Sequence, residues 1–494
     1  MATSTRTFLL ACASLSGISR TRGFATISCS HHARRPAQTS TTRRTSTATL
    51  SSSSPVSSDT SSRSPAAAAL DGTVILGGGI AGLSTAAALR SIADVRNICI
   101  LEKLDADSFA NDRSGAAAQL GPNGLKALRA IGGEELVDEV VNAGTKLKGN
   151  TMLMPHMPQP MTIPDTAEAD TGLPQVLMRW GVLRRLLSDM VPLDCISHGV
   201  GHDVLGYTTK DDGGVRLVQA DGSEIGPPST PLIVAADGIY STFRWCLATD
   251  TCALDDIDDR TAGIKYNRRV NIKAVTEGVL DEDRYVSNHT YSFFSPDGGV
   301  ACFAGPSGEG YTYWAISVAD NTANDNDTVS EECEVMELVK CKKSAQQKKE
   351  SIKDALLDKI RGLDEPLANF AVEKIESTHP EYIYIQHSEE AEEIGPCLVS
   401  SDGNVVLVGD AGHSMAPSYG QAVNFALEDA ASLAVCIRDA ENVASALKTY
   451  EGSRLERCRE MQQRSADRAA KAMKGQENIE DVSKWIFAWD VPGN

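Results

Sequence analysis

Three glycines and one acidic residue near the start of the chain have the types and spacing of a loop that holds a dinucleotide. Gly77, Gly79 and Gly82 fit the pattern G-x-G-x-x-G, and Glu102 follows at the distance expected of an acid that accepts a ribose hydroxyl. In such a loop the first glycine allows a tight turn and the second lets the backbone approach a pyrophosphate, while the third lets a helix pack closely on a strand. A helix that begins there also offers unpaired N–H groups and a partial positive charge to phosphates. The spacing therefore predicts a dinucleotide site.

The sequence around this loop predicts the elements that would position it. Residues 73–76 are apolar and predict a strand, and the segment from Ile80 predicts a helix. Residues 97–101 predict a second strand, which ends at Glu102. This order of strand, helix and strand is typical of a Rossmann-type, doubly wound α/β domain.

The rest of the chain divides into segments of different character. Apolar runs at residues 231–238 and 403–410 predict two further buried strands. Residues 260–318 alternate in the manner of strands and predict a separate, largely antiparallel sheet. The tail from Asn442 is helix-forming and heavily charged. The sequence thus predicts an α/β protein with a doubly wound domain, a β-sheet domain and a C-terminal helical tail.

The first 65 residues differ in composition from the remainder. They are rich in Ser, Thr, Ala and Arg, they contain no Lys, and their first acidic residue is Asp59. Such a composition is typical of an organellar transit peptide, which predicts a location in a plastid or a mitochondrion. The mildly apolar residues 8–18 leave open a short signal-peptide core ahead of a plastid transit segment, and a merely disordered tail is the third interpretation.

The charge balance excludes some classes of partner. The chain carries a formal net charge of −19, and the part after the Arg-rich N-terminal segment is more negative still. Because such a surface repels phosphate backbones and anionic lipid heads, we expect no nucleic-acid partner. No apolar run approaches the ~18 residues that span a bilayer, so we expect no transmembrane segment.

Cysteine and histidine spacing gives no sign of a metal site. The 12 cysteines are scattered, without a C-x-x-C pair, and are expected to be reduced and mostly buried. His198 and His202 are four residues apart, but the glycines between them argue against a stable helix. No acid or cysteine lies at ligand spacing, and we predict no metal.

Two further motifs accompany the glycine loop and Glu102. Residues 236–244 read ADGIYSTFR, and residues 409–430 read GDAGHSMAPSYGQAVNFALEDA. With three motifs in this order, the chain resembles the single-component FAD-dependent monooxygenases, the family of aromatic-ring hydroxylases and zeaxanthin-epoxidase-like enzymes. The resemblance extends from about residue 72 to about residue 457.

The resemblance implies a Rossmann-type FAD-binding domain assembled from separated pieces, together with a β-sheet substrate domain and a C-terminal helical region. The expected ranges are 1–70 for a transit peptide or disordered segment, 71–150, 176–250 and 395–440 for the FAD-binding domain, 151–175 and 251–394 for the substrate domain, and 441–494 for the helical region.

The third motif resembles the part of the family that contacts the flavin. By this resemblance Asp410 would bind the ribityl or ribose hydroxyls of FAD, while Pro417 and Gly420 would lie against the isoalloxazine ring. The helix that begins near Ala422 would point its N-terminus at the pyrimidine oxygen and stabilise negative charge on the reduced ring. The family usually has a glycine at the position of Ala422, and the added Cβ is expected to affect catalytic detail more than FAD binding.

Four more residues match positions that the family links to its cofactors. Asp237 and Arg244 match the motif D-G-x-x-S-x-x-R, which the family uses for FAD and for pyridine nucleotides. Arg113 and Arg179 match family arginines that contact the cofactor, with an ordinary surface or helix-capping role as the alternative. His413 lies in the third motif, and we interpret it as a structural hydrogen-bonding residue.

The resemblance implies a reaction in which the cofactor carries out the difficult step. NAD(P)H would reduce FAD, the reduced flavin would take up O2 as a C4a-hydroperoxide, and the distal oxygen would pass to a small aromatic or isoprenoid substrate. No catalytic acid or base is assigned to the protein. The alternatives are an FAD-dependent oxidase or reductase on the same scaffold and a non-catalytic flavin-binding protein, while NADH and NADPH both remain open as reductants.

Overall fold

The computed structural model describes residues 63–113, 116–153, 159–280, 285–295, 298–320, 335, 345–361, 369–473 and 482–493. The predicted transit peptide lies almost entirely outside these described residues. Within them, no helix combines the length and the hydropathy that crossing a bilayer requires.

The described residues form helices and strands that alternate along the chain. The helices are α1 (Pro65–Ala69), α2 (Ile80–Ser91), α3 (Ala106–Ala110), α4 (Pro122–Ala143), α5 (Ala167–Thr171), α6 (Trp180–Ser188), α7 (Thr242–Thr249), α8 (Ala345–Arg361), α9 (Asn369–Ser377), α10 (Asp410–His413), α11 (Ala422–Asp439), α12 (Val443–Met473) and α13 (Ser483–Phe487). The strands are β1 (Val74–Leu76), β2 (Cys99–Glu102), β3 (Ala117–Leu120), β4 (Thr145–Lys146), β5 (Gly149–Leu153), β6 (Met161–Pro164), β7 (Val176–Arg179), β8 (Ile196–His198), β9 (Val204–Thr209), β10 (Val215–Gln219), β11 (Glu224–Thr230), β12 (Ile233–Ala235), β13 (Ile264–Glu277), β14 (His289–Phe294), β15 (Val300–Pro306), β16 (Tyr311–Ala319), β17 (Tyr384–Ala391) and β18 (Val405–Leu407).

A five-stranded parallel sheet forms the centre of the nucleotide-binding part. Its strand order is β18-β12-β1-β2-β8, and every neighbouring pair is parallel. The three strands β1, β12 and β18 are buried at every position, because helices cover both faces of a sheet of this kind. Helices α2 and α11 pack against each other on it. The predicted doubly wound α/β fold is confirmed.

A seven-stranded sheet forms the second part. Its order is β17-β13-β16-β15-β14-β5-β6, and it is antiparallel except for the pair β14 and β5. One face packs on α8 and α9 through a core that includes Ile272, Trp314 and Leu356. The antiparallel sheet expected between residues 260 and 318 is thus present, and β5 and β6 extend it at one edge.

The folded chain begins earlier than the predicted boundary between residues 70 and 71. Ala66 and Ala67 of α1 are fully buried, and the Ser64 hydroxyl donates a hydrogen bond to the carbonyl of Ile437 at 2.8 Å. Helix α1 therefore belongs to the nucleotide-binding part, and the boundary moves toward the N-terminus.

The described cysteines are free thiols, as the sequence predicted. Cys246, Cys302, Cys436 and Cys458 are buried, whereas Cys252 is exposed. Burial raises the pKa of Cys302 to about 12, which leaves this thiol protonated and unreactive.

Candidate functional site

The glycine loop between β1 and α2 is shaped by contacts that leave no room for a side chain at its first and third motif glycines. Gly77 has φ +107°, and a Cβ on it would lie 2.4 Å from the carbonyl oxygen of Ala236. A Cβ on Gly82 would lie 1.9 Å from the carbonyl oxygen of Gly77. At Gly79, by contrast, a Cβ would meet no atom within 4 Å. The loop is therefore closed by its first and third glycines and open at the second, which fits a pyrophosphate at the N-terminus of α2.

Glu102 lies beside this loop at the end of β2. One carboxylate oxygen accepts a hydrogen bond from the N–H of Gly78 at 2.7 Å, and the other accepts one from the N–H of Leu104 at 2.8 Å. The residue is 6% exposed. Glu102 therefore braces the loop, and each oxygen keeps a lone pair for a ribose hydroxyl. Its predicted contact with the ribose stays a prediction.

Asp237 and Arg244 lie after β12, the strand next to β1. The Asp237 Oδ2 accepts a hydrogen bond from the N–H of Thr242 at 3.0 Å, while Oδ1 has no hydrogen-bond partner among the described residues. Burial raises the pKa of Asp237, against hydrogen bonds that include one to Ser241. A buried oxygen without a partner is costly unless a ligand satisfies it, and this atom fits a cofactor hydroxyl or amide.

Arg244 joins this loop to the one that follows β18. Its Nη1 donates hydrogen bonds to the carbonyls of Asp410 at 3.1 Å and Ala411 at 3.4 Å. Its Nη2 donates to the carbonyl of Ile239 in its own loop. The structure thus brings Gly77, Asp237 and Asp410 together at the carboxyl ends of three adjacent parallel strands, where open α/β sheets bind their ligands.

Asp410 is exposed to solvent as a residue, but protein groups lie close around its carboxyl. Burial raises the pKa of its carboxyl, and the positive charges of His413, Arg244 and Lys273 oppose this rise. Lys273 comes from β13 of the seven-stranded sheet, so the two sheets face each other at this point. Asp410 can therefore accept hydrogen bonds from a hydroxyl-bearing ligand held between them.

The flavin loop, defined here as residues 407–421, continues past Asp410 to the start of α11. Pro417–Tyr419 forms one 3₁₀ turn, and Gly420 has φ +65°, a left-handed conformation that suits glycine. Asn424 holds the end of the turn, because its side-chain amide donates to the carbonyl of Gly420 at 3.1 Å. Helix α11 begins at Ala422 and has no side-chain cap. Its N–H groups are thus available to a ligand in front of Gly420.

Arg113 and Arg179 both contact residues of the second part of the molecule, the part built on the seven-stranded sheet and called here the substrate part. The Arg113 guanidinium lies 3.5 Å from the centre of the Tyr382 ring and pairs with Glu277 at 3.6 Å. It also lines a cavity of about 210 Å³. The Arg179 guanidinium lies 4.3 Å from the centre of the Tyr311 ring. Arg179 also pairs with Glu309 and with Asp112. Their predicted contact with FAD stays a prediction, and cation–π contacts together with these ion pairs define their present positions.

Sequence reasoning missed the residues that the substrate sheet turns toward the flavin loop. Val275 is directly paired with Tyr313, so Lys273, two residues earlier, lies on the same face as that ring. Phe303 lies beside Tyr313, with ring centres 5.9 Å apart. The Lys273 ammonium donates to the Gln386 side chain at 2.7 Å, and burial lowers its pKa. In the sequence, only the alternation of these strands indicates which residues share a face of the sheet. The alternation does not indicate which of the two faces is turned toward the cofactor.

One group of three potential metal ligands occurs in the described part of the chain, namely His413, Asp429 and Cys458. The guanidinium of Arg454 already fills the space beside them, with its Nε 2.8 Å from Asp429 and its Nη2 3.8 Å from Cys458. Because a fixed cation at this distance would repel a metal ion, the group is an ion-paired network and not a metal centre.

Comparison with known proteins agrees with this geometry. The family described as "FAD binding domain" matches residues 399–465, which include the flavin loop. The aurachin C monooxygenase/isomerase of Stigmatella aurantiaca is 29% identical over 388 residues, 78% of this chain and 85% of that protein. The 6-hydroxynicotinate 3-monooxygenase of Pseudomonas fluorescens is 25% identical over 428 residues, 84% of this chain and 94% of that protein.

A solved structure shares the fold. The crystal structure of Klebsiella pneumoniae HpxO complexed with FAD and uric acid superposes with a TM-score of 0.63 at 22% identity, covering 85% of this chain and 93% of that one. The predicted fold class and the prediction of FAD as cofactor are confirmed.

Proposed function

We propose that this chain is an aromatic-hydroxylase-like FAD-dependent monooxygenase, similar to the relatives described above, and that it uses NAD(P)H and O2 to hydroxylate or epoxidise a small substrate. The observation that carries the proposal is the meeting of three loops, at residues 77–82, 237–244 and 409–420, on one edge of the parallel sheet. Lys273 of the second sheet interacts with Asp410 of the third loop, and Tyr313 and Phe303 lie on the same face of that sheet as Lys273. This arrangement supports a flavin held by one part of the molecule and a substrate held by the other.

Residues of the three loops would each bind a different part of FAD. The N-terminus of α2 and the open position at Gly79 would hold the pyrophosphate. Asp410 would accept hydrogen bonds from ribityl hydroxyls, and the N–H groups at the start of α11 would face the pyrimidine end of the flavin. When bound, FAD supplies oxygen transfer by the route that the sequence resemblance implies.

The substrate sheet supplies the opposite wall of the site. Tyr313 and Phe303 give it an aromatic surface, and Lys273 places an ammonium group at the edge of that surface. Such a wall excludes water from the oxygen-transfer step and favours a planar ring over a flexible isoprenoid chain. One relative is named for 6-hydroxynicotinate, and another solved relative is described with uric acid. Small planar aromatic compounds are therefore the first substrates to test.

The proposal is tested with purified chain beginning at residue 63. We expect a yellow protein whose oxidation of NADH or NADPH accelerates with a ring substrate from a panel that includes urate and 6-hydroxynicotinate. Mass spectrometry should find one ¹⁸O atom from ¹⁸O2 in the product. A protein that stays colourless after incubation with FAD would contradict the assignment of the cofactor.

Other outcomes distinguish the remaining functions. Oxygen uptake with stoichiometric H2O2 and no oxygenated product would indicate an oxidase. A yellow protein that oxidises neither NADH nor NADPH with any compound of the panel would indicate a non-catalytic flavin-binding protein.

An organellar location, in a plastid or a mitochondrion, is the last part of the proposal. Its support is the acid-poor, Arg- and Ser-rich composition of residues 1–65. Residues 1–70 fused to a fluorescent protein should direct it to one of these organelles, and diffuse fluorescence would contradict this.

A further inference from the structure

Helix α12 lies along the whole flavin loop, although it comes from the charged tail that the sequence marked only as helix-forming. Contacts from this helix reach the beginning, middle and end of the loop. They are the Tyr450 hydroxyl donating to the Leu407 carbonyl at 3.0 Å, the Gln462 amide donating to the Ser414 carbonyl at 3.0 Å, the Ser418 hydroxyl donating to the Ser465 carbonyl at 2.8 Å, and the Arg468 guanidinium lying 4.4 Å from the centre of the Tyr419 ring.

The strongest of these connections runs through Asp429. One of its carboxylate oxygens accepts a hydrogen bond from the N–H of Gly409 at 2.8 Å and lies 2.5 Å from the His413 Nε2. The other accepts a hydrogen bond from the Arg454 Nε at 2.8 Å. The side chains of Asp429, His413 and Arg454 are fully buried. Arg454 therefore holds the carboxylate that fixes the backbone directly before Asp410.

A second branch of the same network reaches the other end of the loop. Arg454 and Arg457 both bind the Glu428 carboxylate. The Asn123 amide then donates to Glu428 at 2.7 Å and to the Gln421 side chain at 3.0 Å. Gln421 directly precedes α11, whose N-terminus faces the flavin site. One buried arginine is thus linked to both ends of the loop between Gly409 and Gln421.

The charges of this network are paired with one another but costly to bury. Burial alone would raise the pKa of Asp429, but the charges of His413 and Arg454 hold it below its ordinary value. Replacing a buried ion pair by well-packed apolar side chains is often neutral or stabilising. Stability alone therefore does not explain why polar groups fill this space, whereas directional hydrogen bonds to the loop backbone give them a positioning role.

We propose that Arg454 is a positioning residue of the flavin site, which acts through Asp429 and Glu428 to set the place of the loop at Gly409–Gln421. Helix α12 of the charged C-terminal tail thereby helps to position the cofactor site. The inference rests on the proposed function in one respect, since it takes FAD to be the ligand of this loop. A positioning role predicts altered flavin properties that exceed what a general loss of stability produces.

The test compares Arg454→Met, Arg454→Lys and Asp429→Asn in the full chain. The matched control is Leu447→Ala, which removes a buried side chain of the same helix without touching the network. We expect the FAD dissociation constant, measured by flavin fluorescence, to rise about tenfold or more in Arg454→Met and Asp429→Asn and less in Arg454→Lys. The absorption maxima and the midpoint potential of the remaining bound flavin should shift in the same order.

The control decides between positioning and general stability. If Leu447→Ala lowers Tm as much as the network variants and weakens FAD binding equally, with an unchanged flavin spectrum in every variant, the inference is overturned. If Arg454→Met does not fold, the comparison of Arg454→Lys and Asp429→Asn with Leu447→Ala gives the same decision. Failure of the unaltered chain to bind FAD would instead contradict the proposed function.

Discussion

The glycine loop and the flavin loop are held in place in different ways. In the glycine loop, backbone meets backbone at distances that only glycine permits, as between Gly82 and the carbonyl of Gly77. In the flavin loop, side chains from a distant helix hold the backbone, as Arg454 does through Asp429. The first loop is thus determined mainly by its own glycines, with one further contact to Ala236, and the second by side chains on α11 and α12. A cofactor site can therefore combine a rigid local motif with one that depends on the rest of the fold.

Of the substitutions that test this difference between the loops, Gly82→Ala is expected to have the largest effect on stability and FAD binding. The new Cβ would lie 1.9 Å from the carbonyl oxygen of Gly77, so the loop and α2 must move apart. Overpacking of this kind costs about 1–3 kcal/mol, and we expect that loss in urea unfolding together with loss of bound FAD. Gly452→Ala is the control, since a Cβ there meets no atom within 4 Å. Equal unfolding midpoints for Gly82→Ala and the unaltered chain would show that the loop is not closed by contact.

A second substitution, at Gly79, distinguishes the role of the glycines in closing the loop from their role in binding FAD. At Gly79 a Cβ meets no protein atom within 4 Å, so Gly79→Ala should change the stability of the apoprotein by less than about 0.5 kcal/mol. If a pyrophosphate approaches this position, the same Cβ should weaken FAD binding by about tenfold. Calorimetric titration of the apoprotein with FAD measures this, and unchanged affinity would place the pyrophosphate elsewhere.

A smaller, pH-dependent effect is expected at the start of the flavin loop. Because the pKa of Asp410 is raised by burial, its carboxylate takes up a proton at a higher pH than an ordinary aspartate. His413, Arg244 and Lys273 are the charged groups that face it, and all three oppose this rise. A protonated carboxyl loses acceptor capacity for a ribityl hydroxyl, so FAD should bind several-fold more weakly as the pH falls through this raised pKa.

The matched variant for this effect is Asp410→Asn. It should bind FAD more weakly than the unaltered chain at high pH, with a flatter dependence on pH. If FAD affinity changes with pH in the same way in both proteins, the titrating group is not Asp410.

The contrast between the loops also explains what the sequence could predict. Gly77, Gly82 and Glu102 lie within one strand–helix–strand unit, so their spacing alone indicates the loop that they form. Asp237 and Asp410 each follow a short apolar run, and the parallel sheet brings both to the same edge.

Other parts of the site depend on contacts that spacing does not encode. Arg113 and Arg179 match family positions, but rings and carboxylates from distant segments hold their guanidinium groups. Tyr382 and Glu277 contact Arg113, and Tyr311 and Glu309 contact Arg179. Lys273 is one of many residues in alternating strands. Which face of its sheet is turned toward the flavin loop depends on how the two sheets pack. Arg454 belongs to a tail whose charged pattern is typical of a solvated helix, and only the tertiary fold shows that it is buried.

The short helix α1 limits how far the N-terminus of the working protein can be trimmed. The Ser64 hydroxyl is bonded to the carbonyl of Ile437, and Arg63 pairs with Asp71 beside it. A truncated chain that keeps these contacts must therefore begin at or before Arg63. A cut a few residues later would remove the cover from the C-terminal end of α11, the helix whose opposite end faces the flavin.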